Sequence, residues 1–299
     1  MPIDIAVALD AVVAAVSDDE PRVLVRSGGD TRGLDALPAG PFDPQTDATL
    51  DAGLRRWVTE QAGFELGHIE QLYTFGDRGR DARRRVLSVA YLAFVRESEP
   101  RVASVGWRGW YDYFPWEDWR EGRPTLVDEV IHPAVDAWIA TASGADERRR
   151  RERRARRTVG LLGTPWNDTL ALERYELLWE IGLVAESPVP GGVHLGARMA
   201  FDHRRIVATA LGRVRGALRW RPLVFELLPP VFTMAQLQRT VEALAGRRLH
   251  APNFRRLVED AGLIEPTGDW RQTTGRPAAL VRFRPEATTE RPDAGIAIR

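Results

Sequence analysis

The apolar positions change rhythm several times along the chain, and each rhythm predicts an element. Ile3–Val16 and Arg22–Arg26 alternate apolar and small residues around Ser17-Asp18-Asp19-Glu20-Pro21, which predicts a β-hairpin. Ser27–Gly33 is a glycine-rich turn. From Leu50 the period becomes helical. Leu50, Leu54, Trp57 and Val58 share one face, Gly63 is a natural stop, and Arg56 and Glu60 stand one turn apart on another face. Val86–Val95 is an apolar strand. Gly106–Arg120 crowds four tryptophans, two tyrosines and a phenylalanine together. Such side chains suit a helical insertion anchored on the body, or else the aromatic wall of a ligand pocket or dimer interface. Thr125–Ala142 and Asp168–Val184 are periodic helices. Between them Glu147–Arg157, with eight arginines and two glutamates, reads as a solvated helix face, with a nucleic-acid contact as the alternative. Asp202 is placed to cap a helix over Arg204–Leu218. His203 has no second histidine near it for a metal, and His203–Arg221 reads as a hinge to the C-terminal third.

That last third is explicit. Leu223–Leu228 reads as a short strand ended by Pro229-Pro230. Thr233 and Gln236 form a capping-box pair, with Phe232 and Leu237 as its hydrophobic staple. The helix Met234–Ala245 stops at Gly246, and Arg247-Arg248-Leu249-His250 turns the chain toward Pro252, which suits a first helical turn. The helix Asn253–Ala261 exposes Asn253, Arg255 and Arg256, buries Phe254, Leu257 and Val258, and stops at Gly262. Leu263-Ile264, the polar tip Arg271–Pro277 and Ala278–Phe283 then form a β-hairpin. Helix, turn, helix and hairpin in this order make a winged helix-turn-helix. Arginines at the exposed start of a second helix, with Arg247 and Arg248 in the turn before it and Thr274 and Arg276 on the wing tip, are what phosphate and base-edge contacts require.

Composition narrows the classes. The chain has no cysteine, so neither a disulfide framework nor a thiolate metal site is possible. All 42 basic residues are arginine and are matched by 42 acidic ones. That balance hides an asymmetry. Residues 202–299 hold 17 arginines against 10 acidic residues, a net of +7, and the remainder therefore carries −7. A basic module on an acidic body points to a polyanionic partner for that module. No segment has the length of a membrane span or the form of a signal peptide, and the expected location is cytoplasmic.

The stretch Leu50–Phe64 resembles the Nudix hydrolase signature. Arg56, Val58, Glu60, Gly63 and Phe64 match it, whereas Trp57 and Gln61 stand where the family has metal-binding glutamates and Ala48 where it has an upstream glutamate. One carboxylate, Glu60, cannot supply the several oxygens a magnesium site needs. Magnesium and catalysis are therefore not expected. Tyr73–Arg85 resembles the Nudix subgroup that handles ADP-ribose and NAD-related compounds, through Tyr73, Phe75, Asp77, Arg80, Asp81, Arg83 and Arg85. An arginine-rich loop beside an aromatic suits a pyrophosphate and a stacked base. The expected effector-binding residues are Arg80, Asp81, Arg83, Arg85, Phe75 and Glu60. The C-terminal segment resembles the winged helix of the NrtR-type regulators of NAD metabolism.

These resemblances imply an α+β protein with a Nudix-like α/β/α sandwich over 1–100 and 198–221. A mainly helical insertion over 101–197, a DNA-binding winged helix over 222–285 and a disordered tail over 286–299 complete it. The implied function is a repressor of NAD or nucleotide-sugar metabolism. It would sense ADP-ribose or a relative without a required cofactor, and bind an inverted-repeat operator as a homodimer. The alternative is an active hydrolase with an appended winged helix.

Overall fold

Strand β1 (Ile5–Ser17) organises the N-terminal sheet of the computed structural model, which describes residues 5–28, 31–77, 85–272, 275–287 and 295–296. Along one edge β1 pairs in parallel with β5 (Arg85–Phe94), from Ile5 to Ala14. Along the other edge β3 (Ala39–Pro41) takes Ala8–Asp10 and β2 (Glu20–Arg26) takes Ala14–Ser17, both antiparallel. The β1–β2 turn closes tightly because Asp18 and Asp19 both adopt positive φ, 49° and 61°. Aspartate tolerates that conformation, which matches the twist of a hairpin. β4 (Ile69–Phe75) and β6 (Val105–Gly109) complete the order β4-β5-β1-β2-β6.

The period-2 pattern of β1 is visible in what each side meets. Leu9, Ala11 and Val13 pack beneath α1 (Leu50–Ala62) with Leu54 and Val58. Val12 and Ala14 face the opposite way, into a core shared with α6 (His203–Ala217) and α7 (Met234–Ala245). Helices thus cover both faces of the sheet, and every strand residue has a side to serve.

The aromatic-rich stretch is core. Trp110, Tyr113, Phe114 and Trp116 are fully buried on α2 (Trp110–Tyr113) and the turn after it. α3 (His132–Ala140), α4 (Ala145–Val159) and α5 (Ala171–Glu180) come next and pack on the same cluster. α4 carries the arginine run and keeps most of it in solvent, tied along its own length by Arg148–Glu152 at 3.1 Å and Arg151–Glu147 at 2.6 Å.

Inside this core lies a charged triad. Glu117 accepts from Arg174 of α5 at 2.6 and 3.2 Å, and from Arg215 of α6, and all three side chains are essentially without solvent. Burial by itself would push the Glu117 carboxyl up, but the two guanidiniums outweigh it and hold it below its ordinary value.

Several expectations are corrected. Residues 105–109 are not part of a helical insertion but a strand of the sheet, because β2 needs a partner on its outer edge. Leu223–Leu227 is a 3-10 turn and not a strand. β4 continues through Phe75, so the stretch 73–75 is strand rather than loop. Asp202 stands at the α6 N-terminus, but its side chain makes no capping hydrogen bond. α6 is no hinge. Its apolar face is buried, and Arg204 and Arg215, which in sequence look like solvent-facing charges, are buried too. Arg204 donates to Tyr113 O at 3.1 Å and Leu195 O at 2.6 Å and pairs with Glu186 at 3.1 Å. Of the tail expected to be disordered, residues 288–294 and 297–299 lie outside the described residues, whereas Ala287 and Ile296 are buried and Ile296 N donates to Leu218 O at 2.9 Å.

Glu117→Gln keeps the shape but surrounds a neutral side chain with two buried guanidiniums. The expected loss at neutral pH is about 3–5 kcal/mol by urea denaturation. A depressed folded pKa makes the stabilisation complete above the unfolded carboxyl value of about 4.3, and it is lost as pH falls through the lower folded value. The gap between the two proteins should therefore begin to close as pH falls below about 4.3 and vanish only below the lower folded value. A gap that stays constant on acidification would refute the pairing.

Candidate functional site

The helix α1 begins at Thr49, whose hydroxyl accepts from Ala52 N at 3.1 Å, and ends at Gly63 with φ 74°. The face that would hold a metal in a Nudix hydrolase is occupied by protein. Trp57 Nε1 donates to Pro41 O at 2.9 Å, and the indole lies so close to Gly40 that a Cβ there would come within 2.0 Å of it. Gln61 grips Ala39 from both sides, accepting from its N–H at 3.1 Å and donating to its carbonyl at 2.8 Å. The nearby carboxylates Asp47 and Glu60 both answer to Arg56, Asp47 through two hydrogen bonds of 2.9 Å and Glu60 at 3.6 Å. The Arg56 hydrogen bonds hold the Asp47 carboxyl below its ordinary value. A magnesium ion does not fit this arrangement: two of the positions offer no carboxylate and the remaining carboxylates are neutralised.

A cleft opens beside β3, along the first half of β1. One lobe, about 190 Å³, is lined by Asp10, Arg26, Gly40, Ser88 and His203. The Ser88 hydroxyl there is fully buried and has no hydrogen-bond partner among the described residues. A larger lobe, about 780 Å³, lies between the sandwich and α5, among Asp77, Tyr175, Glu176, Trp179 and Arg205. Phe201 and Asp202 belong to both lobes. Phe201 is 50% exposed and has a φ of 56°, a region an aromatic residue enters only when its surroundings force it. Its ring rests 5.1 Å from His203, whose Nδ1 accepts from Leu37 N at 2.9 Å and whose Nε2 stands 3.3 Å from Asp10.

The expected effector residues are only partly brought to this cleft. Arg80, Asp81 and Arg83 lie outside the described residues, in the segment after Asp77, itself at the rim of the larger lobe. Arg85 donates to Gly76 O and so closes the base of that segment. Phe75 is 1% exposed, with the Arg205 guanidinium 5.5 Å above its ring, so it presents no face to a base. Glu60 sits on the outer side of α1, paired with Arg56. Ser88 also belongs to the resemblance carried by Tyr73–Arg85, but neither it nor Phe201 is expected at a site from the sequence, because nothing in the residue pattern announces a positive φ or an unpartnered hydroxyl.

The C-terminal domain has the expected parts. Thr233 caps α7, accepting from Gln236 N at 3.2 Å while Gln236 Oε1 accepts from Thr233 N at 3.0 Å. α8 spans Ala251–Ala261, starting two residues earlier than expected. β7 (Phe232–Thr233), β8 (Ile264–Arg271) and β9 (Ala278–Phe283) form the wing in the order β7-β9-β8. Asn253, Arg255 and Arg256 are exposed on α8, and Arg255 leans on Glu259 at 2.8 Å. Arg276 is exposed at the wing tip, and Thr274 lies outside the described residues. In the turn before α8, Arg248 is exposed and Arg247 is half-buried. Arg248 is claimed by Glu242 at 3.2 Å and Glu121 at 2.9 Å, and the Arg247 guanidinium turns inward. The reason is that the turn is docked on the insertion: Trp119 N donates to Gly246 O at 2.6 Å, and Tyr111 donates to Ala243 O at 2.6 Å.

Residues 224–283 match the family model of the NrtR DNA-binding winged helix domain. That segment is a winged helix of the NrtR type. An ADPR responsive transcriptional repressor, NtrR, of Acinetobacter baylyi is 21% identical over 92% of this chain and 80% of its own length. In fold, the chain is similar to Shewanella oneidensis NrtR complexed with a 27mer DNA, with a TM-score of 0.59, 22% identity and 95% of each chain covered. A MutT/nudix family protein of Enterococcus faecalis is similar over 95% of this chain and 88% of its own, with a TM-score of 0.57 and 18% identity. The sandwich and the winged helix therefore occur together in solved structures, joined over nearly the full length.

Gln61→Glu tests the reading of the α1 clamp. It removes the donor to Ala39 O and aims a carboxylate at that carbonyl. The expected cost is about 1–3 kcal/mol in urea denaturation. A variant as stable as the parent would mean that the side chain is not holding β3.

Proposed function

We propose that the protein is a DNA-binding transcriptional repressor of NAD or nucleotide-sugar metabolism whose sandwich domain senses ADP-ribose or a related nucleotide without hydrolysing it. The observation that carries this reading is the winged helix. A domain of a DNA-binding family presents Asn253, Arg255 and Arg256 on an exposed helix, with Arg276 on the adjoining wing. The local excess of arginine supports a phosphate backbone as partner. The named Acinetobacter relative supports ADP-ribose as the effector class.

The cleft around Phe201 is the effector site in this reading. Its larger lobe, about 780 Å³, is in the size range of small-molecule sites. Phe201 offers an exposed ring for a base, and Ser88 an unsatisfied hydroxyl in the smaller lobe. Arg80 and Arg83, on the segment after Asp77, would reach the pyrophosphate with charge-assisted bonds. The effector meets no metal, because the α1 face is plugged by Trp57 and Gln61. A short recognition helix gains affinity by pairing, so the operator is an inverted repeat read by a homodimer with half-sites about one helical turn, or a multiple, apart.

Three measurements test this together. Titration onto duplexes from the protein's own upstream region should show a preferred site. Arg256→Ala should weaken that site by about 1–3 kcal/mol. ADP-ribose should release the site by a factor of about 5–150, and Phe201→Ala should blunt that response while leaving operator affinity intact. Magnesium-dependent turnover of ADP-ribose at ordinary enzyme rates, about 10 per second, would overturn the non-catalytic reading. The absence of any preferred duplex would overturn the regulator.

A further inference from the structure

A second cavity lies far from the Phe201 cleft along α6. It is about 580 Å³ and sits between the insertion, the C-terminal end of α6 and the turn of the helix-turn-helix. Trp119, Trp166, Asn167, Arg215, Arg219 and Arg247 line it. Its charge does not balance. Glu117 is shared by Arg174 and Arg215, which leaves one positive charge over in a site without solvent. Asp168 is matched by Arg219 at 2.9 Å. Arg247 adds a further cation, and its Nε and Nη2 are shielded from solvent without a hydrogen-bond partner among the described residues. Arg219 Nε is shielded and unpartnered in the same way. Shielded guanidinium nitrogens with nothing to donate to are costly, and native structures avoid them.

The walls indicate what kind of ligand would resolve this. Trp166 already carries Arg174 at 3.7 Å from its ring centre and Trp119 at 4.9 Å. Trp119 also carries Arg123 at 5.5 Å. Both indoles are engaged with protein partners, so the unsatisfied chemistry is that of donors. We propose that this cavity binds an oxyanion of the phosphate class, held between Arg219 of α6 and Arg247 of the helix-turn-helix turn. This inference does not depend on the effector reading above, because it concerns a different cavity and different residues. The bound anion would bridge the body to the turn that precedes the recognition helix and hold Arg247 inward.

The test uses the full chain at constant ionic strength, with chloride replaced stepwise by inorganic phosphate, and in parallel arms by pyrophosphate and by ADP-ribose. Tryptophan fluorescence and thermal unfolding are read together, since Trp119 and Trp166 form the wall. We expect a saturable response to inorganic phosphate. Arg247→Gln should weaken it at least about tenfold, as loss of a charge-assisted bond implies, while Arg247→Lys retains part of it. Phe201→Ala should leave it unchanged. A response to ADP-ribose that Phe201→Ala abolishes, with none to inorganic phosphate or pyrophosphate, would assign all binding to the other cleft and overturn the proposal. So would a phosphate response of equal strength in Arg247→Gln. Should Arg247→Gln fail to fold, the wild-type titration still decides, because an unsaturable response there is enough to discard the site.

Discussion

The carboxylate of Glu117 is the point at which three parts of the chain meet. It comes from the turn after α2, and it receives Arg174 from α5 and Arg215 from α6 with no solvent to share the load. Such a group is tolerable only while all three charges stay together, because removing any one strands the others in a low-dielectric core. Arg215 also reaches forward, donating to Glu117 O at 2.9 Å and to Leu244 O at 3.3 Å near the end of α7. The insertion, the sandwich and the reading head are thus fixed to one another through one electrostatic knot. The charge that stabilises it also leaves a surplus beside Arg247.

The α1 helix shows what takes the place of the family's metal-binding side chains in this chain. Positions that a metal site would fill with carboxylates carry an indole and an amide, and the indole holds Pro41 and the amide Ala39 of the β3 strand. The remaining carboxylates are neutralised by a single arginine stacked 4.5 Å from the same indole. Each of these contacts closes the space between helix and strand that a hydrated ion would need.

Much of this is readable in the residue pattern, and what fails does so for physical reasons. The hairpin at Asp18-Asp19, the α1 stop at Gly63 and the Thr233–Gln236 capping box depend on neighbours in sequence, and each stands as expected. The misreadings that most change the picture depend on distant partners. Residues 105–109 form a strand because β2 offers an open edge. Arg204, Arg215 and Arg247 look like surface charges in sequence but are turned inward by acceptors or cavities far along the chain. Phe75 looks in sequence like a platform for a base and is packed under Arg205, whereas Phe201 holds the exposed ring through a backbone twist that no pattern of residue types encodes. Local hydrogen bonding is written in the sequence, whereas burial of charge is written in the topology.

The joint between Trp119 and Gly246 is made by main chain, an amide donating to a carbonyl at 2.6 Å. That contact needs the glycine at 246 but makes no use of the side chains on the outer face of α8. The face of α8 that meets a partner can therefore change its residues freely while the angle at which it is held stays the same. In an evolving lineage this separates two problems that are usually entangled. New sequences can be read by substitution on an outer surface, and the inherited mounting need not be reinvented each time.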